Sequence, residues 1–209
     1  MTSALEFFVV CLSAIFVVVD PIAATPMVAT MTAGRDRAEV RSIVKRATLV
    51  GALLLVLFTL FGGVLFRLLH IELSAFRVAG GVLLLLTALD MLRGKLSSCK
   101  CSAEDVEDAR TKPDIAIVPL ATPLLAGPGA IATVMVLVSE NGDSAPVFVI
   151  LAILVTFAAS YFVLRSAELV QRALRKSGMA LVQRVMGLVL AAVSIQFIAD
   201  GARQLFGLD

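Results

Sequence analysis

The chain has no tryptophan, a single tyrosine, a single histidine and three cysteines in 209 residues, and only 16% of it is charged. Each shortage excludes something. With Tyr161 alone, no aromatic girdle marks a membrane boundary. One histidine (His70) and the scattered Cys11, Cys99 and Cys101 supply neither a disulfide framework nor a zinc set. Cys99 and Cys101 read as reduced cytosolic thiols, and neither a metal nor another cofactor is expected. No Walker A sequence is present, so ATP is not an evident driver. Paired catalytic carboxylates are missing too, which argues against an enzyme or a redox carrier. A soluble domain carries about 25% charged residues. The shortfall here, with 59% hydrophobic residues and a mean hydropathy of +0.98, leaves a bilayer as the partner and gives no footing for nucleic acid.

What is present comes in long apolar blocks. Residues 47–66, 115–139 and 144–164 contain no charge. About 20 such residues make a helix that crosses a bilayer, and the blocks lack the alternation of a membrane β-strand. The pattern predicts an all-α membrane protein with six spans near 4–32, 47–69, 75–94, 114–139, 146–166 and 182–203. The first span lacks the basic start of a secretory signal and reads as a retained helix. Basic residues gather in the loops 34–46, 93–113 and 165–184, which hold 15 of the 18. Only Arg67, Arg77 and Arg203 lie at the other end. The positive-inside rule makes the basic end cytoplasmic and puts both termini outside. The expected location is a bacterial or archaeal cytoplasmic membrane.

A shift of 107 residues lays Pro21-Ile22-Ala23 on Pro128-Gly129-Ala130 and Arg77-Val78-Ala79-Gly80 on Arg184-Val185-Met186-Gly187. Three spans per half make the second copy inverted, as in many transporters. The expected organisation is a repeat at 1–96, a cytoplasmic linker at 97–113 and an inverted repeat at 114–209.

Spans 1 and 4 are interrupted. Pro21 and Pro26 are expected to break the first. Pro119 and Pro123 kink the fourth before Gly127-Pro128-Gly129 interrupts it. Pro21 and Pro128 each suit the first position of a new helix, and Asp20 suits a cap. Unwound backbone at membrane depth survives only when buried or lining a cavity. Two helix N-termini, around Asp20–Ala23 and Gly127–Ala130, would then offer N–H groups to a carboxylate, with carbonyls nearby for an ammonium. The expected binding residues are Asp20, Pro21, Ile22, Ala23, Thr25, Thr122, Gly127, Pro128, Gly129, Ala130 and Thr133. The glycines admit a ligand to the backbone and the threonines add hydroxyls. Asp20 is the one ionisable residue near the centre of a span, which makes it the candidate for the coupling ion; capping alone is the simpler reading. Thr87, Ser194 and Gln196 either line a cavity or bond between helices, and Gly62-Gly63 and Gly80-Gly81 suit close packing.

The stretches "DPIAATP", "AFRVAGGVLLLLTALDMLRG" (75–94) and "IAIVPLATPLLAGPGAIATVMVL" (115–137) resemble the MarC family of six-span membrane proteins over nearly the whole chain. The resemblance implies a carrier of small neutral amino acids such as glycine or alanine, coupled to protons or sodium. The family's Asn/Asp-Pro-Ile-Gly motif falls on Asp20 to Ala23, with alanine in place of the customary glycine. Alternatives are an exporter of another metabolite or a drug, and a channel. Assembly into a homo-oligomer is compatible with all of these.

Overall fold

In the computed structural model the described residues are 4–94, 116–140 and 144–207. Among them every regular element is a helix. In chain order these are α1 (Ala4–Val19), α2 (Pro21–Met31), α3 (Arg37–Leu69), α4 (Leu73–Leu92), a π-helix, π1 (Ala116–Leu125), α5 (Pro128–Glu140), α6 (Ala145–Arg165) and α7 (Ala167–Phe206). The linker 97–113, with Cys99 and Cys101, lies outside the described residues.

Local chemistry sets the ends. Asp36 opens α3 by accepting a hydrogen bond from the Glu39 amide at 2.7 Å, the acceptor half of a capping box. His70 closes the same helix in the left-handed region, with Ile71 N–H returning to the Phe66 carbonyl. That lone histidine is therefore a helix stop.

Five helical stretches are long and apolar enough to cross a membrane: Ala4–Met31 (α1 and α2 joined through Asp20), Arg37–Leu69, Leu73–Leu92, Ala145–Arg165 and Ser177–Phe206. The expected fourth span at 114–139 is not one continuous helix, as its interruption predicted. It is divided into π1 and α5, and neither piece alone has the length. The second and sixth expected spans run further than the apolar pattern indicated. α3 starts at Arg37, and α7 starts at Ala167 and turns at Arg175 (φ 53°, ψ 178°) before its apolar stretch.

Water gives no driving force between helices in lipid, so close contact at small residues holds them together. α4 and α7 pack along their lengths. A Cβ on Gly81 would lie 2.8 Å from Ile198, and one on Gly201 would lie 2.8 Å from Val78. Gly62 admits Met135, and Gly80 admits Ala132. Gly63, by contrast, has nothing within 4 Å, so its pairing with Gly62 is not a packing device. The outer surface is apolar, as lipid requires: Leu5, Leu53, Leu68, Leu154 and Leu188 are exposed.

Candidate functional site

Between α1 and α2 a single residue leaves the helix. Asp20 has φ 48° and ψ 64°, a left-handed conformation that costs about 1–2 kcal/mol for most side chains and that Asp and Asn tolerate best. The ladder still spans it: Asp20 N–H reaches the Phe16 carbonyl at 2.9 Å, and Ala24 N–H reaches the Asp20 carbonyl at 3.2 Å. Pro21 is the residue with no hydrogen to give, so it cannot serve the carbonyl of Val17. It opens α2, and the Asp20 carboxylate accepts from the Ala23 amide at 3.2 Å. The carboxylate-bearing residue is 1% exposed within a 28-residue apolar stretch. A buried acid in such a stretch is expensive, which makes Asp20 the candidate functional residue.

Pro26 does not break the helix, contrary to the expectation above. α2 continues through it to Met31. Its missing N–H would have served the Ile22 carbonyl. The Thr25 hydroxyl donates to that carbonyl instead, at 2.7 Å. Thr25 is fully buried, and its hydroxyl replaces the lost amide.

The second interruption is built differently. π1 ends with Ala126 N–H on the Ala121 carbonyl at 2.9 Å, the five-residue step of a π-helix, a form concentrated at functional sites. Pro119 and Pro123 fall inside π1. Gly127 then leads into α5, where Pro128 takes the first position and Ile131 N–H returns to the Gly127 carbonyl at 3.1 Å. Gly127 is not among the positive-φ glycines, so the backbone does not demand glycine there. Thr133 is buried and donates to the Gly129 carbonyl at 2.9 Å, while Thr122 is partly exposed.

The two interrupted spans pack on one another. α1 packs on α5 and α2 on π1, so the segment before each break meets the segment after the other. Ile22 and Ala23 are half-buried, Ala130 is buried and Pro128 is exposed. Gly129 is an exception to the expected ligand access. A Cβ there would sit 2.3 Å from Leu84 Cδ2 on α4, so its bareness makes room for Leu84. Among the described residues the hydrogen bonds of Thr87, Ser194 and Gln196 stay within their own helices. Thr87 and Ser194 donate to carbonyls of their own helices, and Gln196 donates to Asp200.

Two residues escaped the sequence. Arg77 on α4 is 4% exposed and lies over the Phe197 ring at 5.9 Å, whereas its shifted counterpart Arg184 is exposed. Gln171, in what read as a loop, is part-buried and reaches the Thr25 carbonyl at 3.5 Å. No local pattern signals either, because both depend on which helix lies opposite. Among the described residues no three His, Cys, Asp or Glu side chains gather as a metal site.

Long apolar helices, an inward-facing layer of small residues and an apolar exterior define a multi-pass integral membrane protein. Its lineage is equally plain: the chain belongs to the MarC family of integral membrane proteins, whose model matches residues 5–206. It is 41% identical to the UPF0056 membrane protein MJ1677 of Methanocaldococcus jannaschii, covering 95% of this chain and 97% of that one. It is similar also to UPF0056 membrane protein YvbG of Bacillus subtilis (32% identical, 96% of each chain). For UPF0056 membrane protein YhcE of Escherichia coli the identity is 31%, over 92% of this chain and 90% of that one. These names carry no catalytic activity. No solved structure matches the chain.

Proposed function

We propose that the protein is a secondary transporter of a small polar solute, in the first place a small neutral amino acid such as glycine or alanine, coupled to protons or sodium. The observation that carries this reading is the buried Asp20, held left-handed at the interruption of one span that packs against a second span interrupted at Gly127. Two helix starts offer N–H groups to a solute carboxylate, and Asp20 offers a negative charge to its ammonium or to a coupling cation. The contacting groups are Asp20, Ile22, Ala23 and Thr25 on one side and Thr122, Gly127, Pro128, Ala130 and Thr133 on the other. Gly129 serves them by admitting Leu84.

Six membrane passages in two inverted halves, 1–96 and 114–209, fit the packing. Exchanging α1, α2, α3 and α4 for π1, α5, α6 and α7 converts α3–π1 into α6–α1, α2–α7 into α5–α4, and α3–α5 into α6–α2. All of these pairs are in contact. α3–α6 and α4–α7 map onto themselves. Such a pair of halves can rock about a fixed site, with the basic loops inside and both termini outside a cytoplasmic membrane.

The test is uptake and counterflow of glycine, alanine and serine in proteoliposomes under imposed proton or sodium gradients. Saturable, gradient-driven uptake is expected, and Asp20→Asn should remove its dependence on the gradient while the protein stays folded. Absence of both uptake and exchange for all three solutes overturns the amino acid assignment; non-saturating flux without counterflow indicates a channel.

A further inference from the structure

At the basic end of the molecule lies a cavity of about 670 Å³ that the transport site does not use. The turn after α2 and the start of α3 contribute Arg35, Arg37 and Arg41 to its wall. The corner between α6 and α7 contributes Arg165 and Arg172, with Glu168 the one carboxylate in the wall. Two of these cations have a carboxylate near them, the second only loosely. Arg35 is paired with Glu39, and Arg172 lies 3.9 Å from Glu168. Arg37, Arg41 and Arg165 make no ion pair among the described residues, and Asp36 is engaged on the Glu39 amide.

The positive-inside rule accounts for the sign of this end but not for arginines from both halves of the chain converging on one concavity. Four of the five are exposed at its wall, and an anion among them would offset the repulsion that water and salt only partly screen. All five are arginine, whose planar fork matches phosphate oxygens two at a time where lysine supplies a point charge. The first turn of α7 lines the same cavity, and its Ser166 makes no side-chain cap, which adds the positive end of a helix.

We infer that this cavity binds a phosphate-bearing anion, bridging the α2–α3 turn of the first half to the α6–α7 corner of the second. The phosphate comes either from an anionic lipid headgroup of the adjoining leaflet or from a free phosphate compound. Basic pockets between helices at this level commonly hold lipid phosphates.

The test uses the full chain in neutral detergent and needs no transport assay, so it stands or falls apart from the amino acid reading. The thermal midpoint is followed against short-chain phosphatidylglycerol, short-chain phosphatidylcholine and inorganic phosphate. Saturable stabilisation by phosphatidylglycerol beyond phosphatidylcholine is expected, weakened at least about tenfold in Arg37→Gln/Arg165→Gln. The pair Arg93→Gln/Arg184→Gln removes the same charge from the same end outside the cavity and should bind as wild type. If the first pair proves poorly folded without ligand, Arg41→Gln alone should weaken binding in the same direction. Stabilisation by inorganic phosphate that competes with the lipid assigns a free phosphate; stabilisation by the lipid alone assigns the headgroup. The proposal is overturned if neither ligand stabilises beyond phosphatidylcholine, or if the control pair loses as much as the cavity pair.

Discussion

The two interruptions begin alike, with a proline at the first position of a new helix, and achieve their break by opposite means. At Asp20 the chain stays α-helical on both sides and one residue swings into the left-handed region under a carboxylate. At Gly127 no residue is left-handed; the preceding helix is widened into π1 and the break carries no charge. The contrast implies a division of labour. Both sides present helix N-termini, but only the first can neutralise a cation. On the proposed transporter reading, a coupling ion or solute ammonium would sit on the Asp20 side, with the Gly127 side opposite.

The strongest way to break this comparison is to write one side's residue into the other. Ile22 is the shifted counterpart of Gly129. Gly129→Ile would drive a side chain into Leu84, costing about 3 kcal/mol at the upper end of overpacking effects. Thermal unfolding of the variant and of the double variant with Leu84→Ala checks this. Relief in the double variant is expected, and its absence would remove Leu84 as the cause.

Next in size is the left-handed cap. Asp20→Ala loses both the bond to Ala23 and a side chain tolerant of positive φ, about 2 kcal/mol in all. Asp20→Asn keeps both and should lie within about 0.5 kcal/mol of wild type in the same unfolding measurement. Comparing the two separates the role of the charge from that of the cap.

Smaller effects divide the two threonines. Thr25→Val removes the hydroxyl that replaces the missing Pro26 amide, so about 1 kcal/mol should be lost. Thr133→Val removes a second bond to a carbonyl that its own helix already serves, and the expected loss is a few tenths. Equal losses in a denaturation series would show that the Pro26 repair is not what distinguishes them. Opposite in sign, Gly63→Ala meets nothing within 4 Å and should be neutral or slightly stabilising in the same series, by up to about 1 kcal/mol.

Several particulars of the site were legible because they are local. Pro21 and Pro128 at helix starts and Asp20 as a cap follow from the donors that proline lacks and the acceptors that aspartate offers. Pro26 was misread as a break because its repair is a hydroxyl bond, which sequence shows only as a threonine beside a proline. Gly129 was misread as an opening because its neighbour Leu84 is far away in sequence. Arg77 and Gln171 gave no signal for the same reason: burial is decided by the opposing helix.

By itself, then, the sequence determined the solvent, the apolar rods, the basic end and the two proline-marked starts. These depend on composition and on hydrogen-bond donors within a few residues. Tertiary structure decided that the two interrupted spans pack crosswise, which glycines are filled by a neighbour, and that five arginines from distant segments share one cavity. Those facts rest on which helices meet, and in lipid that choice is made by the fit of side chains across an interface.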